Sequence, residues 1–352
     1  MLGSDPKKPI HMNKQFMLIT ILMAFLSGSI FAQQDKIYES LEEALANPMQ
    51  VYTLDLLTAD LEALPEDITK LVNLKKLYLY QNRLTSLPAF IGNLKNLEEL
   101  YLDENQIKTL PKEIGNLRKL KILGMHANQL ESLPAEIGNL ISLQTLYLSE
   151  NNLKALPAEM GKLRTLRILD LSYNEITALP AEIVTLPNLR ELILAHNLLK
   201  SLPEDIGRLK ALEVLYLDDN QLSKIPNSVG TLTGLKLLSL SKNQLKSIPK
   251  EIGSIMKLEN LYLSENKLDE IPSQIGNLAS LIYLDLSNNQ LIAVPVEMSN
   301  LKKLQELNLY NNKLTEIPAE FVNMVSLKEL GIGGSNPIGV VPQIFETKFN
   351  IY

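Results

Sequence analysis

The sequence predicts an open α/β solenoid: a horseshoe with a parallel concave β-sheet and short 3₁₀ or helical segments on its convex side. Three observations predict it. Eleven asparagines (Asn82, Asn105, Asn128, Asn151, Asn174, Asn197, Asn220, Asn243, Asn266, Asn289 and Asn312) stand 23 residues apart without a slip. Twelve prolines keep the same interval, from Pro65 and Pro88 to Pro295 and Pro318. Within each interval leucines such as Leu97, Leu100 and Leu102 are interleaved with polar or aromatic residues, the period-two signature of a strand buried on one side. Self-similarity at one fixed period means stacked copies of a single supersecondary unit.

The first segment is not part of the array. Lys14 precedes an apolar run from Phe16 to Leu26, and Ser27 to Ala32 offer small residues before Gln33. That order is expected of a cleaved signal peptide within residues 1–32. The run is too short to span a bilayer. Residues 1–11 precede a second methionine, Met12, and carry no fold information; either methionine serves as a start.

Residues 33–50 are expected to form an N-terminal helical cap. Ser40-Leu41-Glu42-Glu43 fits a capping box, Leu41, Ala44 and Leu45 share one helical face, and Asn47-Pro48 stops the turn. Residues 51–332 hold twelve full repeats and one partial. The first, from Val51, has Ala59 in the Asn column; the thirteenth, from Leu327, has Ser335 there and Pro342 one residue late. Atypical terminal copies are expected where an open core must be closed. Residues 333–352, with Val340, Val341, Ile344, Phe345 and Phe349, are expected to supply the C-terminal cap.

Each part of the unit has a physical reason. Strands stacked about 4.8 Å apart make thirteen copies an arc of roughly 60 Å. The Asn amide is expected to turn inward and satisfy backbone groups of its own and the neighbouring turn. Pro111, Ile114 and Leu117 are expected to shape a short 3₁₀ or helical return on the convex face, with Pro111 at an early-turn position where no N–H is needed. The glycine column (92, 115, 138, 161, 207, 230, 253 and 276) suits a positive φ or a close backbone approach. Phe90, where the unit has Glu, has no explanation in the sequence.

The unit Leu-x-x-Leu-x-Leu-x-x-Asn-x-Leu-x-x-Leu-Pro-x-x-Ile-Gly-x-Leu-x-x, as in Leu97 to Lys119, resembles the leucine-rich repeat family. It is most similar to the 23-residue Leu-Pro arrays of Leptospira and other bacteria, and of plant and animal Ras-pathway scaffolds. The resemblance covers roughly residues 51–340. It implies a leucine-rich repeat horseshoe that binds other proteins.

The unbroken period leaves no room for a second domain. Net charge is −6, and loss of residues 1–32, with Lys7, Lys8, Lys14 and Asp5, makes it −8. An acidic body argues against nucleic acid and anionic membranes as partners. Cysteine is absent, which excludes a thiol nucleophile, a lipidated N-terminus and the capping disulfides common in animal extracellular repeat proteins. No phosphate-binding loop of the G-x-x-x-x-G-K-[ST] type occurs. His126 and His196 lie three repeats apart, about 15 Å at strand spacing, too far to share a metal ion. Asp103-Glu104 and Asp218-Asp219 would need further oxygens to hold Ca²⁺ and read better as a solvated acidic face. No catalytic constellation and no cofactor are expected.

The binding signal lies on the strands. Nine of the twelve tyrosines fall on concave positions, and none of the seven phenylalanines does. Tyr78, Tyr101, Tyr147, Tyr216 and Tyr262 share one column with Asp170 and Asp285, interrupted by Gly124; Tyr80 and Tyr310 share another with Asp103 and Asp218; Tyr283 stands in a third. These twelve tyrosines and aspartates are the candidate partner-binding residues. Tyrosine joins an apolar face to a hydroxyl and is enriched at protein interfaces. It is also a good strand former, so duplication alone could have copied it. The expected function is that of an exported, non-catalytic scaffold recognising a host or envelope protein with a basic surface. The alternatives are a self-associating envelope protein and, more weakly since tryptophan is absent, carbohydrate binding.

Overall fold

Among the described residues fifteen short strands form one parallel sheet in chain order, each paired with its neighbours in sequence. The computed structural model describes residues 36–339, 341 and 343–352. The signal-peptide segment, Gln33, Val340 and Pro342 lie outside the described residues. Thirteen strands come from the repeats, β2 (Thr53–Asp55) and β3 (Lys76–Tyr78) through β14 (Glu329–Gly331). The terminal segments add two more, β1 (Ile37–Tyr38) and β15 (Asn350–Ile351). The register joins each residue to the one a full repeat away, so Tyr78, Tyr101, Gly124 and Tyr147 are successive neighbours.

Leucines such as Leu77, Leu100 and Leu123 at the strand centres are fully buried. The convex segments are 3₁₀ turns, as at Ala89–Asn93. Pro88 is the residue just before that turn, and its carbonyl accepts the Ile91 N–H at 3.0 Å. A proline there loses nothing by lacking an N–H, and its carbonyl starts the i→i+3 pattern. Phe90 is partly buried and packs against the core edge, which accounts for an aromatic at that position.

The asparagine column is a ladder of buried amides. Asn174 Nδ2 donates to the carbonyls of Leu148 (2.9 Å), Leu171 (3.1 Å) and Ser172 (3.2 Å), and its Oδ1 accepts the Leu153 N–H at 3.0 Å. One side chain therefore closes its own turn and joins it to the preceding repeat. In the thirteenth repeat these contacts are made by Asn336, not by Ser335. Asn336 Nδ2 reaches Leu309, Ile332 and Gly333, and its Oδ1 accepts the Leu314 N–H at 3.0 Å. A one-residue insertion before the asparagine explains both its displacement and the late Pro342 in the sequence.

The glycine column is explained by close approach and not by a positive φ. A Cβ on Gly92 would sit 2.5 Å from the Glu113 carbonyl oxygen of the next turn. Val184 breaks this column. The residue closing its turn, Leu186, has ψ 100° against 57° at Leu94, and the following turn shrinks to Ile206–Arg208. A convex groove of about 430 Å³ opens there between Val184 and Pro203.

Left-handed backbone falls instead on the residue before each asparagine, from Gln81 (φ 52°) to Asn311 (φ 54°), none of them glycine. A side chain in this region costs about 1 kcal/mol or more. Ala127 adopts this conformation with φ 51°. Ala127→Gly is expected to raise stability by about 1 kcal/mol, read as a higher urea midpoint. An unchanged or lower midpoint would show that the strain is not felt.

Both ends are closed. In α1 (Leu41–Ala46) the Ser40 Oγ accepts the Glu43 N–H at 3.2 Å, while the Glu43 carboxylate pairs with Lys36 at 2.8 Å. At the other end α2 (Gln343–Lys348) buries Phe345 against Phe349, ring centroids 5.8 Å apart. Ile344, expected in that cap, faces solvent.

Candidate binding surface

Parallel in-register strands place equal columns side by side, so tyrosines one repeat apart meet as rings. Tyr101 stacks on Tyr78 at 5.3 Å between centroids and on Tyr80 at 5.1 Å, with interplanar angles of 18° and 26°. Farther along, Tyr262 and Tyr283 meet at 4.9 Å, tilted by 37°. Tyr173 lies on His196 at 4.0 Å, and His196 Nδ1 is 2.8 Å from Asp219.

Beside the first cluster is a concave hollow of about 500 Å³, lined by Tyr80, Tyr101, Asp103, Glu104, His126, Tyr147, Ser149 and Asp170. Six of the twelve expected residues, Tyr78, Tyr80, Tyr101, Asp103, Tyr147 and Asp170, thus gather at the amino-terminal end of the trough. Tyr283, Tyr262 and Asp285 gather at the other, near Glu306. Tyr216 and Asp218 lie between the two groups, and Tyr310, at the far end, is largely exposed.

The acids differ in how well they are satisfied. Asp170 accepts from the Ser172 N–H (3.0 Å) and hydroxyl (2.7 Å), and Asp285 from the Ser287 N–H at 2.9 Å. Asp218 accepts from the Ser241 N–H at 3.0 Å and from the Ser239 hydroxyl. Asp103 is only 8% exposed. Its Oδ1 accepts the His126 N–H at 2.9 Å, but its buried Oδ2 has no partner. Burial raises the Asp103 pKa above the ordinary 3.8, outweighing the hydrogen bond from the His126 backbone.

A carboxyl whose pKa is higher folded than unfolded opposes folding when it is ionised. That penalty is complete above the folded pKa and vanishes below the unfolded one. Asp103→Asn is therefore expected to stabilise the chain by about 1–2 kcal/mol near neutral pH, with the gain fading as the solution is acidified. Urea titrations at the two ends of that range measure it; a gain that grows in acid would reverse the assignment.

The Tyr80 and Tyr101 hydroxyls stay protonated. Burial and then the Glu99 charge push Tyr101 up to about 12, and burial with Asp103 raises Tyr80 further. They are hydrogen-bond donors in a trough of acceptors. Lys76 is held by Glu99 at 2.9 Å, which leaves the surface acidic overall.

The sequence reading missed Tyr352. Its hydroxyl donates to Glu306 at 3.4 Å and its ring covers Gly331, extending the second cluster. It falls outside the repeat register, so no column could have revealed it. His126 was considered only as a metal ligand; it lines the hollow with Nδ1 3.0 Å from Ser149 Oγ. Among the described residues no group of three or more His, Asp or Glu is placed to hold a metal ion, and no helix is long and apolar enough to cross a membrane.

A family model described as "Leucine-rich repeat region" matches residues 45–152 and 228–337, and one described as "Leucine rich repeat" matches 141–199 and 164–222. Among solved structures, the chain is similar to a leucine-rich repeat protein of Leptospira interrogans. The two are 36% identical over 90% of this chain and 100% of that one, with a TM-score of 0.56. It is similar to a plant peptide hormone receptor, RGFR1, in complex with RGF2, at 27% identity over 90% of this chain and 60% of the receptor, TM-score 0.66. An internalin of Listeria monocytogenes, 22% identical over 87% of this chain and 88% of its own at TM-score 0.75, shares the fold. No curated protein matches the chain.

Proposed function

Because the chain belongs to the leucine-rich repeat family, we propose that it is an exported, non-catalytic scaffold that holds a partner protein on its concave, tyrosine-lined acidic surface. The observation that carries this reading is the preassembled cluster of Tyr78, Tyr80 and Tyr101 beside a hollow floored by Asp103. Rings already stacked on a rigid sheet lose little freedom when a partner arrives, so more of the contact energy appears as affinity. The neighbouring plant receptor solved with its ligand supports a binding role for the fold. The acidic surroundings favour a partner with a basic face, drawn from the host surface or the cell envelope.

The test is affinity capture from envelope and host extracts, with sizing of the free protein. A monomer that takes up one partner saturably, and less in high salt, supports the reading. A protein that self-associates and captures nothing overturns it in favour of the structural alternative. Export is tested separately by mass spectrometry of the native protein, with the mature end expected at Gln33. A cytosolic protein retaining Phe16 to Leu26 would exclude it.

A further inference from the structure

We propose that Asp103, beside Gly124 in the concave hollow, forms a subsite for one cationic side chain, arginine or lysine, of the bound partner. This rests on the concave-face reading and adds to it the chemistry of the anchoring contact. Tyr101, Gly124 and Tyr147 are in-register neighbours on three adjacent strands, and the Asp103 carboxylate and the Tyr101 ring edge lean over the glycine where a side chain would otherwise stand. The Asp103 Oδ2, which would be 2.5 Å from a Cβ on Gly124, has no hydrogen-bond donor. Aromatic rings lining the hollow and an unpaired carboxylate oxygen match the needs of a guanidinium or ammonium group.

The chain supplies its own comparison. Asp218 occupies the same position in a later repeat, and there the equivalent of Gly124 is Ser239, whose hydroxyl donates to the Asp218 carboxylate. At Asp103 that donor is absent, and the Tyr101 ring edge lies over the glycine in its place. The other acids of the hollow are engaged: Glu104 by Gln81 at 2.9 Å and Asp170 by Ser172. The Tyr101 ring edge, which would be 2.8 Å from a Cβ on Gly124, lies beside the Asp103 carboxylate and shifts as the cation enters.

The probes are Nα-acetyl-argininamide and Nα-acetyl-lysinamide, with Nα-acetyl-norleucinamide as the neutral control, titrated into full-length protein carrying histidine-selective amide labels. The His126 amide donates to Asp103 and reports directly on the subsite. The expected result is a saturable His126 shift with the cationic probes and none with the neutral one. Binding should weaken by about tenfold or more in Asp103→Asn and in Gly124→Ser, and stay unchanged in Glu136→Gln on a convex turn. Gly124→Ser is expected to fold, because Ser239 already fills that column beside Asp218. An equal response to the neutral probe, or full binding by folded Gly124→Ser, overturns the subsite. The broader reading has its own readout. If the cationic probes leave His126 unmoved while replacement of the trough tyrosines still releases a captured partner, only the subsite fails. If the tyrosine variant also keeps that partner, the concave-face reading fails with it.

Discussion

Asn174→Ala is expected to destabilise the array by about 2–3 kcal/mol, the cost of leaving a buried N–H without its acceptor and carbonyls without their donor. The Leu153 N–H loses its only side-chain acceptor, and Leu148, Leu171 and Ser172 lose a shared donor. No water can easily substitute, since Asn174 is itself buried and its partners lie beneath the turn. Repeats touch only their neighbours, so the damage should stay within the copies on either side. A long array need not melt as one unit, and residue-resolved hydrogen exchange is therefore a better measurement than a single midpoint. Exchange should accelerate around Leu153 and Leu171 and remain slow near Leu54 and Leu307. A loss near zero would remove the asparagine ladder from the account of stability.

The second large effect concerns binding. Changing Tyr78, Tyr101 and Tyr147 together to Ser is expected to abolish partner capture while the repeats stay folded. Rings at the centre of an interface are worth about 2 kcal/mol or more each when fully desolvated. None of the three belongs to the buried leucine core. Their loss also dissolves the stack that holds Tyr80 and removes two of the rings that line the hollow with Asp103. The control changes Lys112, Glu136 and Lys162 to Ser on the convex turns, which should leave binding intact. Association through the trough should also slow as salt is added, because the acidic rim steers its partner over a distance that ions screen. A convex variant that loses the partner while the tyrosine variant keeps it would move the interface to the other face.

The fold was legible because one physical requirement recurs every repeat. Leucine spacing sets the strand, asparagine the buried turn and proline the start of the convex segment, so a single unit read correctly gives the whole arc. What escaped were features that depend on neighbours in space. The unpaired oxygen of Asp103 is visible only once Gly124 is known to lie against it, and Ser239 beside Asp218 makes the difference plain. The strained φ before each asparagine falls mostly on Gln, Glu, Ala, Tyr and Lys, and only His196, Asp219, Asn288 and Asn311 are types that favour it, so the column gives little sequence signal. Asn336 was hidden by a one-residue insertion, and Tyr352 by lying beyond the last copy. The candidate site was half legible: the tyrosine columns were read, but their division into two clusters came from the stacking of side chains.

Val184 has a consequence for how the molecule yields. Where glycine lets adjacent convex turns pack closely, each repeat is clamped at its back as well as along its sheet; at Val184 the rear clamp is spread and the sheet, the asparagine ladder and the buried leucines carry more of the join. In a linear lattice with nearest-neighbour coupling, one weakened coupling divides a cooperative melt into two. The array should therefore part at this seam under denaturant or mechanical load, giving two independently melting blocks. Val184→Gly should fuse them into a single sharper transition. Identical melting of the two variants, followed by exchange on both sides of the seam, would show that the sheet alone transmits cooperativity along the arc.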